Sequence, residues 1–308
     1  MKSKNILVGE DQEELIKPIL PGLPVSIFKT VFSPNTYNFI NWHWHQAFQY
    51  CYVESGIVDF LITGHTYTVT AGSGIFINYE QIHFIQAHDD SPSSYICIDI
   101  PPSFISYDTH SRIYLRYLAP ILRNPVPPIL HLSKHSQHGA ILLKDLLDIQ
   151  ELVHSEKELI ELDIRMKVME IWKYTYLELT KCGGQQDYSF YDSDRLKTII
   201  SYIQEHYSEK ISLDDIANEV SLSRSECSRI FKHLTGRSLF GYLTSYRINK
   251  SVDLIRDTDM SIAQIAAAVG FCSQSYYTDN FRKEKGITPK KFKLLSMRQA
   301  NGVLSVDA

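Results

Sequence analysis

The period of the apolar residues changes once along this chain, and that change restricts the fold more than any other feature. From about Asn41 to Pro101, short β-rich runs alternate with turn residues: FQYCYV, IVDFLI, TYTV, GIFI and SYICIDI, separated by ESG, TGH and TAGSG. Short strands at close spacing with glycine-rich turns predict an antiparallel sandwich or small barrel. From Ser136 the spacing becomes three and four, through Leu142, Leu146, Ile149 and Val153 and then Ile164, Val168, Ile171 and Leu179. That pattern predicts two amphipathic helices, a hairpin broken near Ser155–Leu162. The segment KCGGQQDYSFYDSD has paired glycines and no period, so it reads as a linker. After it everything has helical spacing.

At 308 residues the chain exceeds one ordinary core. The reading is therefore an α+β, two-domain protein. Residues 1–135 form an antiparallel β-barrel, 136–180 a helical hairpin, 181–194 the linker, and 195–308 an all-α domain. The run Tyr114–Pro128, with prolines near its end, is expected to lead into a loop. Apolar residues make up 44% of the chain and the net charge is −4, which excludes disorder. No run of about 18 uncharged apolar residues is present to span a membrane. The first twenty residues carry charges throughout, so no signal peptide is expected there. Five widely spaced cysteines without CxxC argue against a disulfide framework or structural zinc site, and for a reducing, cytoplasmic setting. The charge is unevenly divided. Residues from Phe190 onward carry 17 basic and 14 acidic side chains, against 14 and 21 before them. A polyanion partner is expected for the second part alone.

The C-terminal part repeats itself at a period of about fifty residues. Ser212–Ser238 reads SLDDIANEVSLSRSECSRIFKHLTGRS, and Ser261–Thr288 reads SIAQIAAAVGFCSQSYYTDNFRKEKGIT, with one extra residue at its turn. Ile216-Ala217 aligns with Ile265-Ala266, Val220 with Val269, Ser225 with Ser275, Phe231 with Phe281 and Gly236 with Gly286. Ser212 and Ser261 fit N-caps, the latter boxed by Gln264, and Ser223 with Glu226 fits another capping box. Gly236 and Gly286 fit left-handed C-caps. A helix, a short turn and a helix at this scale form a helix-turn-helix, whose second helix enters the DNA major groove. Two copies joined by a long helix around Tyr242–Arg256 would set two reading helices about 34 Å apart.

Leu196–Lys293 resembles the DNA-binding domain of the AraC family of bacterial transcription regulators, most specifically through IAAAVGFCSQSYYTDNFRKEKGITPKKFK at Ile265–Lys293. The resemblance implies that Arg224, Ser225, Ser228 and Arg229 face the bases from the first reading helix, and Gln274, Ser275, Thr278 and Asp279 from the second. Arginine pairs with guanine, glutamine with adenine, and aspartate accepts from cytosine. Asp279 stands where family members often carry a basic residue. Lys232, His233, Arg237, Arg282 and Lys283 are expected to hold phosphates, and Glu226 to be occupied by its cap. Lys285, Lys290, Lys291 and Lys293 fit either a solvated face or a DNA-facing one.

The segments NWHWHQAFQYCYVESG and GSGIFINYEQIHFI resemble the cupin-like sensor arm of the same family, a small barrel that binds an effector. The resemblance implies an effector pocket at His43, His45, Gln49, His83, Tyr79 and Trp42, with Trp44 and Phe84 flanking. His43-x-His45 with His83 also matches metal-binding cupin enzymes, but Gln49 stands where those enzymes carry Glu. Glutamine offers only a neutral oxygen in place of a charged hard ligand. The expectation is therefore no metal, no cofactor and no catalysis. Alternation puts Gln49, Cys51 and Val53 on one strand face and Phe48, Tyr50 and Tyr52 on the other, with the inward set undecided. The hairpin either seals the barrel or pairs with a second subunit, and the resemblance favours a homodimer. The reading is a sequence-specific DNA-binding regulator controlled by a small molecule, a sugar or another small metabolite, with RNA polymerase as a partner if it activates. The competing readings are a metal-dependent cupin enzyme fused to a DNA-binding domain, and an effector-independent regulator.

Overall fold

The computed structural model describes residues 19, 22–33, 38–89, 91–123, 127–155, 157–181 and 190–300. Most of the expected linker, residues 182–189 with Cys182, lies outside the described residues. The chain separates into two compact units between Ser193 and Asp194.

Among the described residues the first unit has nine strands: β1 (Ser26–Phe32), β2 (Phe39–His43), β3 (Phe48–Ser55), β4 (Ile57–Ile62), β5 (His65–Thr70), β6 (Gly74–Ile77), β7 (His83–Ala87), β8 (Ser93–Ile100) and β9 (Ile129–Leu132). They pair antiparallel in two sheets, ordered β1-β8-β3-β6-β9 and β2-β7-β4-β5. The five runs read from the sequence are β3, β4, β5, β6 and β8. Between β4 and β5 the chain turns in two residues, Thr63 (φ 51°) and Gly64 (φ 80°), the left-handed pair that a tight hairpin requires.

Between the two sheets lies an apolar core of Phe32, Val53, Phe60, Ile62, Ile75 and Tyr95, among others, the filling of a flattened cupin-like barrel. The inward set on β3 is Gln49, Cys51 and Val53, each at most 1% exposed. The opposite face is buried as well. Phe48 and Tyr50 join a second core under α3 (Gln137–Val153) and α4 (Ile160–Lys181). Leu142, Leu146, Ile149, Ile164, Val168, Ile171 and Leu179 all enter that core, as their spacing predicts. Trp172 stacks on Phe48 at 4.5 Å, and the Tyr50 hydroxyl meets Thr175 Oγ1 at 2.9 Å. The hairpin therefore covers the outer face of the five-stranded sheet rather than the barrel's mouth.

The run Tyr114–Pro128, expected to lead into a loop, is helical in its first part. After α1 (Pro102–Ile105), a π-helical turn at Tyr114–Leu118 runs into α2 (Ala119–Arg123). The prolines at 127 and 128 precede β9, which pairs with β6 at the sheet edge. Leu118 and Ile121 supply the reason, since both are buried in the sheet–helix core.

The second unit is all helical: α5 (Phe190–His206), α6 (Leu213–Glu219), α7 (Arg224–Thr235), α8 (Leu239–Asp257), α9 (Ile262–Ala268), α10 (Gln274–Lys285) and α11 (Pro289–Ala300). Helix α5 begins at Phe190, inside the stretch read as linker. The repeat is α6–α7 followed by α9–α10, with α8 between them. Ser212 and Ser261 each close a reciprocal capping box, with Asp215 and Gln264. Ser223 accepts from the Glu226 N–H, but the Glu226 side chain does not return the bond, so that box is half formed. Gly236 (φ 70°) and Gly286 (φ 73°) end α7 and α10 in the left-handed conformation.

Candidate functional site

Two sets of side chains carry the candidate chemistry, one in each unit. In the barrel, His43 ends β2, His45 follows it, and His83 opens β7, where its Cα partner is His43. All three are buried, at 2%, 1% and 0% exposure. In each ring Nδ1 lies against a backbone carbonyl two residues away: Asn41 at 2.7 Å, Ala47 at 3.1 Å and Gln81 at 2.8 Å. A carbonyl can only accept, so each Nδ1 carries the proton and each Nε2 keeps its lone pair. One ring nitrogen from each residue lies within 4.8 Å of the other two. Nε2 of His45 and of His83 is buried without a hydrogen-bond partner among the described residues. A buried polar atom left so costs about 1–3 kcal/mol.

Burial pushes all three imidazoles well below the ordinary histidine range, to about 3 for His43 and about 4 for His45, with the neighbouring histidines adding to the shift at His43 and His83. The cluster is neutral at pH 7. Facing it is a carboxylate that the sequence reading passed over. Asp99 on β8 is the Cα partner of Gln49 on β3 and is fully buried. Its Oδ1 lies 3.9 Å from His45 Nε2 and accepts from Gln49 Nε2 at 3.1 Å, while Oδ2 accepts from Ser26 Oγ at 3.2 Å. Burial raises its pKa to about 6 against the opposing pull of the Gln49, Ser26 and Cys97 hydrogen bonds. The Cys51 and Cys97 thiols, cross-strand partners 3.6 Å apart, lie beside Gln49 and Asp99.

Of the six residues expected to line a pocket, the structure brings together His43, His45, Gln49 and His83. Trp42 packs on Phe84 at 5.7 Å, and Phe84 points away from the interior because its neighbour Ile85 points in. Tyr79 packs on Phe48 in the core beneath the hairpin. Neither ring packs with the histidines, for the same reason: nearness in sequence to a histidine does not set which side of the sheet a ring occupies. Phe84 follows Trp42, and Trp44 is half-buried.

In the helical unit the first copy presents Arg224, Ser225 and Arg229 exposed and Ser228 half-buried, opposite the buried Cys227, Ile230, Phe231 and Leu234. The second presents Gln274, Ser275 and Asp279 exposed and Thr278 half-buried, opposite the buried Tyr277 and Phe281. Ser225, Arg229 and Lys232, three to four residues apart, form one stripe along α7. Arg224 pairs with Asp214 of α6. Lys232, His233, Arg237, Arg282 and Lys283 are all exposed. Two of the lysines left open are structural, since Lys285 donates to Asn249 Oδ1 and Lys293 to the Met260 carbonyl; Lys290 and Lys291 are exposed. Arg247 on α8 went unread in the sequence. It donates to the Tyr207 and Glu209 carbonyls, each at 2.7 Å, and lies over Phe271.

The comparisons with known proteins match this division. Residues 27–159 match the model of the AraC-like ligand binding domain, and residues 216–294 that of a helix-turn-helix domain. The HTH-type transcriptional regulator YdeC of Bacillus subtilis (strain 168) is 31% identical over 95% of this chain and 99% of its own. The HTH-type transcriptional activator RhaS of Escherichia coli O81 (strain ED1a) is 24% identical over 80% of this chain and 85% of its own. Among solved structures, ToxT from Vibrio cholerae O395 aligns over 88% of this chain and 99% of its own at 17% identity, with a TM-score of 0.46. No described helix is long and apolar enough to cross a membrane. With end-to-end similarity to YdeC and both family models matched in the observed order, the chain belongs to the AraC family of transcription regulators, a ligand-binding N-terminal domain followed by a DNA-binding helix-turn-helix domain.

Proposed function

We propose that this regulator reads DNA mainly through α7 and answers to a small molecule held at the histidine cluster. The carrying observation is the cluster itself: neutral, convergent nitrogens and one carboxylate inside an otherwise apolar barrel. Polar groups that converge in a buried, apolar interior serve recognition better than stability. His43, His45, Gln49 and His83 are the effector contacts in this reading, and the acceptor nitrogens of the three rings suit the hydroxyl donors of a small metabolite such as a sugar. In the second unit, Arg229, Ser225, Ser228 and Arg224 read bases, with Gln274, Ser275, Thr278 and Asp279 as the weaker second set. Lys232, His233, Arg237, Arg282 and Lys283 position the phosphates. The protein acts in the cytoplasm, without enzymatic turnover.

A homodimer completes the reading. The outer side of α4 exposes Leu162 (57%), Met166 (64%) and Leu177 (38%), apolar area that a second copy would cover. Two copies would present four reading helices to paired half-sites. An activating arrangement would add RNA polymerase as a partner.

The test is fluorescence anisotropy of the full-length chain on DNA from upstream of its own gene, against scrambled DNA, at two salt concentrations. A preference for the native DNA that survives raised salt supports sequence-specific regulation. A panel of monosaccharides is then added to wild type and to Gln49→Ala. Loss of the response with unchanged basal binding supports the pocket; an unchanged response in the variant overturns it.

A further inference from the structure

The histidine cluster has a feature that a hydrogen-bonding pocket does not need. All three rings are turned the same way, Nδ1 toward a backbone carbonyl two residues off and Nε2 inward. A carbonyl bond at the far nitrogen is the outer support typical of metal-ligating histidines, because it fixes ring orientation and raises the basicity of the ligating nitrogen. Nε2 of His45 and of His83 is buried without a hydrogen-bond partner among the described residues, and one ring nitrogen from each of the three histidines lies within 4.8 Å of the other two. Among the described residues this is the one such group of three potential ligands.

The glutamine at position 49 argues against a metal in the sequence, and the fold changes the weight of that argument. Gln49 turns its amide toward Asp99, the residue directly across from it on β8. The carboxylate absent from β3 is thus present one strand over, with Oδ1 at 3.9 Å from His45 Nε2. Gln49 and Ser26 hold it in place.

We propose that His43, His45 and His83 bind one divalent transition-metal ion, with zinc the best match, and that Asp99 faces its remaining coordination position. Three imidazoles and an open fourth place form a zinc set, and neutral nitrogen ligands disfavour magnesium and calcium. Tetrahedral coordination at about 2.0–2.1 Å per nitrogen brings the nitrogens closer than they lie here, so the rings close on the ion. Asp99, with Oδ1 3.9 Å from His45 Nε2, then accepts from the ion's water, and Gln49 orients it. The ion would occupy the nitrogens that the effector reading gives to the small molecule, so the inference stands apart from that reading, and the ion's presence and its effect on DNA binding are separate measurements.

The test uses the full-length chain stripped with EDTA and exchanged into metal-free buffer. Calorimetric titration with zinc chloride is expected to give one ion per chain, and magnesium chloride none. Cobalt(II) is expected to give the visible absorption of a low-coordinate site. His83→Gln and His45→Gln should each weaken zinc binding at least 100-fold and abolish the cobalt spectrum, with circular dichroism and the urea-unfolding midpoint as the check on folding. Asp99→Asn should weaken binding by about 10–100-fold. Absence of zinc uptake and of the cobalt spectrum in wild type overturns the proposal without any variant. Zinc uptake undiminished in both histidine variants overturns it equally, by placing the ion elsewhere. Zinc uptake that leaves DNA affinity unchanged still supports the site and counts only against the ion as effector.

Discussion

The two helix-turn-helix units differ in a way that separates packing from reading. Their buried positions match almost atom for role: Ile216-Ala217 with Ile265-Ala266, Cys227 with Tyr277, Phe231 with Phe281, all at most 2% exposed. Their caps match too, a reciprocal box at Ser212 and Ser261 and a left-handed glycine at Gly236 and Gly286. Even the turn keeps its backbone, through Ser221 (φ 52°) in one and Gly270 (φ 84°) in the other. In the second, a Cβ at Gly270 would come within 2.7 Å of the Tyr207 carbonyl, so only there is glycine demanded by space. On the outward faces the match is reduced to Ser225 with Ser275, and Arg224, Ser228 and Arg229 in α7 stand against Gln274, Thr278 and Asp279 in α10. A repeat keeps what holds a helix in place and is free to change what the helix touches.

The largest test of that equivalence is the paired truncation Phe231→Ala and Phe281→Ala. Each removes a fully buried ring and is expected to cost about 3–5 kcal/mol of unfolding free energy in urea. A loss confined to one of them would show that the two copies do not share the core equally. Next comes the difference between the faces. Arg229→Ala is expected to weaken specific DNA by about 1–3 kcal/mol and relax preference at one base pair, whereas Asp279→Ala should change affinity by well under 1 kcal/mol. Equal losses would mean that both helices read bases alike.

Smaller effects sharpen the match of the caps. Ser212→Ala and Ser261→Ala should each lower stability by about 1 kcal/mol, read from thermal melts. Their pH dependence should differ, because only the first box uses a carboxylate. The Ser212 hydroxyl and N–H hold Asp215 below the usual carboxylate range. The contribution of that box is therefore present above the unfolded aspartate pKa and is lost as pH falls through the depressed folded value. The Gln264 box should show no such loss. The smallest expected change is in the salt dependence: Lys232→Ala and Lys283→Ala should each flatten the slope of log affinity against log salt by about one, with no change in sequence preference.

Much of the fold was legible because local rules wrote it. The 4-3-4 spacing from Leu142 to Val153, the serine caps and the two C-cap glycines act within a few residues of themselves, so the sequence displays them directly. The face of β3 was not legible, since Phe48 and Tyr50 are buried under the hairpin while Gln49 and Cys51 are buried between the sheets. A strand covered on both sides has no polar face to betray its direction. Asp99 was hidden for a related reason, as the lone carboxylate in the apolar run SYICIDI with its meaning set by a partner fifty residues earlier. Tyr79 and Trp42 were drawn to the pocket by sequence neighbours and taken from it by side-chain direction.

The amino-acid sequence alone determined the order of barrel, hairpin and repeated helices and most of the caps, because periodicity, capping and turn chemistry are interactions between near neighbours. Tertiary structure alone decided which histidine nitrogens face inward, that Asp99 stands across from Gln49, that Arg224 is held by Asp214, and that Lys285 and Lys293 belong to the fold. Each of these depends on strand register or helix packing between residues distant in the chain, and a register shift of one residue would move every such side chain to the opposite face.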